Sequence, residues 1–148
     1  MSDYYLFLDD ERIPQRVTWV ELPPVSWVIV RTYESFVSTI EKYGLPKAIA
    51  FDHDLAPEHY DRFFQAARAN APFNYEGLRY KTGYDAAKWL VNYCQKNNLD
   101  VPAYYLHTKN HIGAANIDSL FKSYMKIKKL FDVNGDALLL AAQSKNPA

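Results

Sequence analysis

The chain has one cysteine, Cys94, so no disulfide within it can staple the fold. That cysteine falls in an apolar helical pattern where a small buried thiol is expected. A lone thiol fits a reducing compartment, so a cytoplasmic location is expected. No basic, apolar leader opens the sequence, and no apolar run approaches the about 18 residues that would span a bilayer, so no membrane partner is expected. Excess charge is also missing, with Lys plus Arg and Asp plus Glu at 17 each. That balance excludes the cationic field behind strong duplex nucleic-acid binding, and any anionic ligand must be held locally. What is abundant is aromatic: 16 % of the chain, including 12 tyrosines. A buried phenol needs a partner for its hydroxyl, so some of these tyrosines should line a pocket or an interface. No internal repeat or low-complexity tract appears. The 148 residues are the size of one ordinary domain, 1–148, able to bury roughly two thirds of their unfolded surface.

Three apolar runs end in polar clusters. Tyr4-Tyr5-Leu6-Phe7-Leu8 closes on Asp9-Asp10, Ala48-Ile49-Ala50 on Phe51-Asp52-His53-Asp54, and Ala103-Tyr104-Tyr105-Leu106 on His107-Thr108-Lys109-Asn110. In an open α/β sheet ligands sit outside the carboxyl ends of the strands, so acids far apart in sequence can converge there. The rest of the pattern supplies the alternation. Residues 4–9 form a first strand, and residues 12–25, with Pro14, Pro23 and Pro24, form a loop. Residues 26–31 form a second strand and 34–43 a helix stopped by Gly44 and Pro46. Residues 56–80 are an insertion rich in aromatics and arginine, with a short helix around 61–69 and irregular backbone beyond Pro72; a loop so long suits a lid over the strand ends. Thr82 and Asp85 cap a helix over 83–97 with Ala86, Ala87, Leu90, Tyr93 and Cys94 on one stripe. After a strand at 103–107 a loop runs through Gly113, and Ile117, Leu120, Phe121, Tyr124, Leu130 and Phe131 then recur at helical spacing. Lys122, Lys126, Lys128 and Lys129 near its end suit the helix dipole and a solvated face. Asn134-Gly135 marks a turn, and the tail after about 132 ends in residues 137–142, either a last short strand or a docked helical turn. The fold class expected is α/β, a mostly parallel sheet flanked by helices in a single domain.

Asp9, Asp10, Asp52 and Asp54 would repel one another unless protonated or neutralised, and a hard divalent cation with oxygen ligands is the usual remedy. Mg²⁺ (or Mn²⁺) held by Asp9, Asp10 and Asp52 is therefore expected. His53 and His107 stand beside these acids, where an imidazole can protonate a leaving alkoxide when a phosphoester breaks. Thr108 and Asn110 offer donors to phosphate oxygens, and the amides around Gly113-Ala114-Ala115-Asn116 open a helix that can bind an anion. Arg12, Arg31 and Lys81 lie at or just beyond element ends. Arg31 is the first choice for phosphate, because guanidinium grips it bidentately.

The paired acids after the first strand, the aspartate after the third and Thr108 after the fourth resemble a response-regulator receiver domain. Receivers, however, carry a helix where this chain has a proline-rich loop, and a lysine after a fifth strand, for which only Lys145 is available. The chain more closely resembles the cyclic-phosphate processing receiver domain. The matching segments are Leu6-Phe7-Leu8-Asp9-Asp10-Glu11-Arg12-Ile13-Pro14, Arg31-Thr32-Tyr33-Glu34-Ser35-Phe36, Phe51-Asp52-His53-Asp54-Leu55, Thr82-Gly83-Tyr84-Asp85-Ala86-Ala87-Lys88-Trp89-Leu90, and His107-Thr108-Lys109-Asn110 through Gly113-Ala114-Ala115-Asn116-Ile117. The resemblance implies a receiver-like (flavodoxin-like) fold put to phosphoesterase use on cyclic phosphates. The expected function is a metal-dependent phosphoesterase that opens a cyclic phosphate, on an RNA 2′,3′-cyclic end or a cyclic nucleotide. His107 or His53 would protonate the departing oxygen and Asp54 would orient a histidine or the water, while Arg31, Thr108, Asn110, Arg12 and Asn116 would bind substrate. Tyr60, Phe64, Tyr75 and Tyr80 of the insertion are available to stack on a base. Asp52 is a nucleophile in one variant of this chemistry. The rival is a noncatalytic module that binds a nucleotide or a protein partner. The oligomeric state stays open.

Overall fold

The computed structural model describes residues 3–145, with side-chain detail up to residue 132. Four strands, β1 (Tyr5–Leu8), β2 (Trp27–Val30), β3 (Ala48–Phe51) and β4 (Ala103–Leu106), form one sheet in the order β2-β1-β3-β4. Every pairing is parallel, with Leu8 opposite both Val30 and Phe51. This is the flavodoxin-like order, in which the chain leaves β1 to one side and β3 to the other, opening a crevice at their carboxyl ends.

Side chains alternate across each strand, so one sheet contributes to two cores. Leu6, Leu8, Ile49 and Phe51 face the larger one. There they meet Phe36 and Ile40 of α1 (Tyr33–Tyr43), Ala86, Ala87 and Leu90 of α3 (Gly83–Lys96), and Ile117 and Phe121 of α4 (His111–Lys145). Phe7 and Ala50 face the other way and are covered by Val17, Val20 and Leu22 of the proline-rich connection. That connection holds only a single 3-10 turn at Pro14–Arg16. Among the described residues, no helix is long and apolar enough to cross a membrane.

Local chemistry sets most boundaries. Thr32 with Ser35 and Thr82 with Asp85 make reciprocal capping boxes that start α1 and α3. Gly44, at φ +81°, takes the left-handed turn that ends α1. Three expectations need correction. The insertion helix, α2 (Pro57–Ala69), is 13 residues and starts before the short helix expected around 61–69, because Pro57 suits the first helical turn, where its missing N–H costs nothing. The loop expected through Gly113 is already helix: Asn110 Oδ1 accepts from the Gly113 amide at 2.8 Å and caps α4 at its first turn. Finally, α4 continues through Asn134-Gly135, where a turn was expected, and residues 137–142 are part of that helix, neither a last strand nor a separate docked turn. The Ala and Leu run that follows has the highest helix propensity available and offsets the cost of one glycine, about 1 kcal/mol. The Lys145 side chain lies outside the described residues.

Candidate functional site

The register of the sheet brings the acids together. Leu8 lies opposite Phe51, so the residues that follow them, Asp9 and Asp52, are neighbours; the Asp52 amide donates to the Leu8 carbonyl at 2.9 Å. A carboxylate oxygen from each of Asp9, Asp10 and Asp52 lies within 4.8 Å of the others, a spacing that one divalent ion can bridge.

The three carboxylates are not equivalent. Asp9 is fully buried and spent: Oδ1 accepts the Glu11 and Arg12 amides at 2.9 and 2.8 Å, and Oδ2 accepts His107 Nε2 at 2.9 Å. Burial pushes its pKa up, but these donors outweigh burial and hold it below the usual carboxylate value. Asp52 is 1 % exposed; its Oδ1 accepts the His53 amide, while Oδ2 has no hydrogen-bond partner among the described residues. Burial, joined by the charge on Asp9, raises its pKa well above the ordinary value, although Thr108 and Arg12 pull the other way. Asp10 Oδ1 is also buried without a partner, and burial together with Asp9 and Glu11 raises that carboxyl to about 6.

Beside Asp52 opens a cavity of about 290 Å³, lined by Arg12, Asp52, Asp54, Thr108, Lys109 and Asn110 on one side and by Tyr60, Phe63 and Phe64 of α2 on the other. Larger grooves, between α3 and α4 and along the lysines of α4, lie away from the strand ends. The Arg12 guanidinium is 3.4 Å from Asp9 and 3.8 Å from Asp52. Trp19, from the β1–β2 connection, is pinned by its Nε1 to the His107 carbonyl at 2.6 Å. Its ring carries Arg12 at 5.3 Å and Lys109 at 4.3 Å, a platform that stations both cations at the cavity.

Of the residues singled out in the sequence, Arg12, Asp52, Asp54, Thr108 and Asn110 thus line the cavity, as do Tyr60 and Phe64. Others are placed elsewhere. Arg31 donates to the backbone carbonyls of Asp9 and Arg12, fixing the turn after β1 instead of reaching the cavity. His107 is fully buried, stacked on Phe7 at 4.5 Å, with Nε2 on Asp9; burial lowers its pKa although Asp9 opposes this. His53 is fully buried behind Asp54, with Nδ1 2.7 Å from Asp54 Oδ1 and Nε2 2.8 Å from Tyr75 Oη. Asn116 donates to that same Tyr75 oxygen at 2.9 Å. Tyr75 is therefore an anchor of His53 and not a wall of the cavity, and Tyr80 is 56 % exposed away from it.

Sequence reasoning missed Trp19, Phe63 and Lys109 as lining or platform residues, as well as His59. Fully buried, His59 accepts the Leu55 amide on Nδ1 at 2.8 Å and lies 2.9 Å from the Tyr80 carbonyl through Nε2, tying the two ends of the insertion together. The i, i+3, i+4 spacing of Tyr60, Phe63 and Phe64 was a usable signal for one aromatic helix face; Trp19 in a proline-rich loop carried none.

The family described as cyclic-phosphate processing receiver domain matches the chain over residues 4–123. Among curated proteins and among solved structures, none matches it.

Proposed function

Because the chain belongs to the cyclic-phosphate processing receiver domain family, we propose that it is a metal-dependent phosphoesterase that opens a cyclic phosphate, on an RNA 2′,3′-cyclic end or a cyclic nucleotide. The observation that carries this reading is a pair of buried carboxylate oxygens without partners, Asp10 Oδ1 and Asp52 Oδ2, beside a cavity stationed with Arg12 and Lys109. Buried oxygens of this kind suit a hard cation, Mg²⁺ or Mn²⁺. Asp10 and Asp52 would hold it with free lone pairs, and Asp9, already accepting from four donors, would complete the trio. Bound there, the ion would polarise the phosphoryl group and lower the pKa of an attacking water.

The chain's own groups divide the remaining work. Arg12, Lys109 and the Thr108 hydroxyl hold nonbridging oxygens as charge builds on them. Asp54, on the cavity wall and clamped by Asn110 Nδ2 at 3.0 and 3.3 Å, accepts the proton of the attacking water. The water oxygen bonds to phosphorus as the ribose P–O bond breaks. The departing oxygen takes a proton, with Lys109 the proton-bearing side chain on that wall. His107 acts through Asp9 and His53 through Asp54, because neither ring reaches the cavity. Tyr60, Phe63 and Phe64 offer an apolar face to a base or ribose.

Purified protein with Mg²⁺ is expected to convert at least one cyclic phosphate to its monoester. Asp52→Asn should abolish turnover, and Arg12→Ala should lower it by about 100-fold. If 2′,3′-cyclic and 3′,5′-cyclic nucleotides all survive while nucleotide binding persists, the chain is a noncatalytic binding module instead.

A further inference from the structure

The proton-handling carboxylate of the cavity is backed by a row of hydrogen bonds that ends in the insertion. It runs from Asp54 Oδ1 to His53 Nδ1 (2.7 Å), from His53 Nε2 to Tyr75 Oη (2.8 Å), and from Tyr75 Oη to Asn116 Nδ2 (2.9 Å). Donor and acceptor counting orients the row. Asn116 Nδ2 can only donate, so the Tyr75 oxygen accepts from it and has its own proton to give. The acceptor in reach is His53 Nε2, which must then be unprotonated, and the ring proton sits on Nδ1, aimed at Asp54. If Nε2 carried the proton, the Tyr75 oxygen would face two donors and the Nδ1 lone pair would face a carboxylate oxygen at 2.7 Å.

Asn110 Oδ1 is committed to the Gly113 amide, so its Nδ2 is the end that faces the pair, 3.0 Å from Asp54 Oδ1 and 3.2 Å from His53 Nδ1. The shorter contact is to the carboxylate, and donation there leaves Nδ1 free to carry its own proton toward Asp54. The His53 ring is held edge-on by Phe73, and a side chain on Gly113 would collide with it. We infer that Tyr75, with Asn116 behind it, is a positioning residue that locks His53 in the Nδ1–H form and so keeps Asp54 an acceptor toward the cavity. The insertion, which reads in sequence as a lid, would thus be a fixed part of the acid–base apparatus. A wrong imidazole tautomer can cost a hydrogen-bonded His–Asp pair most of its function.

This inference rests on the proposed phosphoesterase only for its kinetic readout. The test is ¹⁵N NMR of the imidazoles in the full chain, with His53 assigned by loss of its signal in His53→Asn. The wild type is expected to show His53 protonated on Nδ1 alone. Tyr75→Phe keeps the ring packing and removes the hydroxyl; it should give averaged tautomer signals and lower kcat by about 10-fold with little change in KM. Asn116→Ala, which leaves Tyr75 in place, should move both readouts the same way by less. A wild-type His53 protonated on Nε2, or a Tyr75→Phe protein that keeps the Nδ1–H signal, would overturn the inference. A released tautomer in a protein that opens no cyclic phosphate would uphold Tyr75 as the anchor while removing the phosphoesterase reading.

Discussion

Asp10 and Asp52 hold their protons to higher pH than free carboxyl groups, Asp10 to about 6. A carboxyl raised by folding stabilises the fold most fully below its unfolded pKa, about 4, and that contribution is lost as pH rises through the folded value. Asp10 and Asp52 therefore subtract stability from the metal-free protein between about pH 4 and 7, with on the order of 1 kcal/mol from Asp10, which is partly screened by solvent, while the buried His107 and His59, whose pKa burial lowers, add stability as pH rises toward the ordinary imidazole value. Urea unfolding at pH 5 and pH 7.5 measures the sum. Asp10→Asn should remove the Asp10 loss from it, and Mg²⁺ should counter that loss at the higher pH by binding the ionised form. Asp9 acts in the opposite direction: its lowered pKa contributes stability above the unfolded value, lost only as pH falls through the folded one. The sequence placed histidines beside acids but did not reveal which imidazole meets solvent. Phe7 and Asp9 cover His107, while Phe73, Tyr75 and Gly113 enclose His53. Those neighbours are remote in the chain.

The helix starts on either side of the site are spaced for contact with the strand ends. Gly83 opens α3 directly against the Asp52 peptide, and a Cβ there would fall inside the Asp52 carbonyl oxygen. Gly83→Ala is therefore expected to cost about 3 kcal/mol or more, because backbone must move to admit it; chemical denaturation measures this. Gly113 has the same function on α4 against the His53 ring. That explains why Gly113 read as a loop residue: glycine was needed for close approach, and only the packed partner reveals that need. The Thr82 cap was legible because a cap is local, its donor and acceptor lying within three residues. The start of α4 was equally local, in Asn110 and the Gly113 amide, but glycine's weight as a breaker hid it.

At the scale of the molecule, α4 is 35 residues, about 52 Å at 1.5 Å per residue, much longer than the four-residue strands it packs on. Phe121 is its last fully buried core residue among those described, and Tyr124 the last one packed on that core. Up to about residue 132, the sequence alone determined the order and type of the elements, and it placed the acids at one edge of the sheet. Strand alternation, proline and capping are local, and a parallel sheet puts every strand's carboxyl end on the same side. Which acid keeps a free oxygen, which arginine reaches the cavity and which residues enclose the histidines were decided only by tertiary structure. Arg31 is drawn to two carbonyls of the β1 turn, Arg12 and Lys109 rest on Trp19, and His107 reaches an aspartate 98 positions away. Burial and hydrogen-bond satisfaction depend on such distant neighbours, and they are what separate an acid that binds from one that only supports.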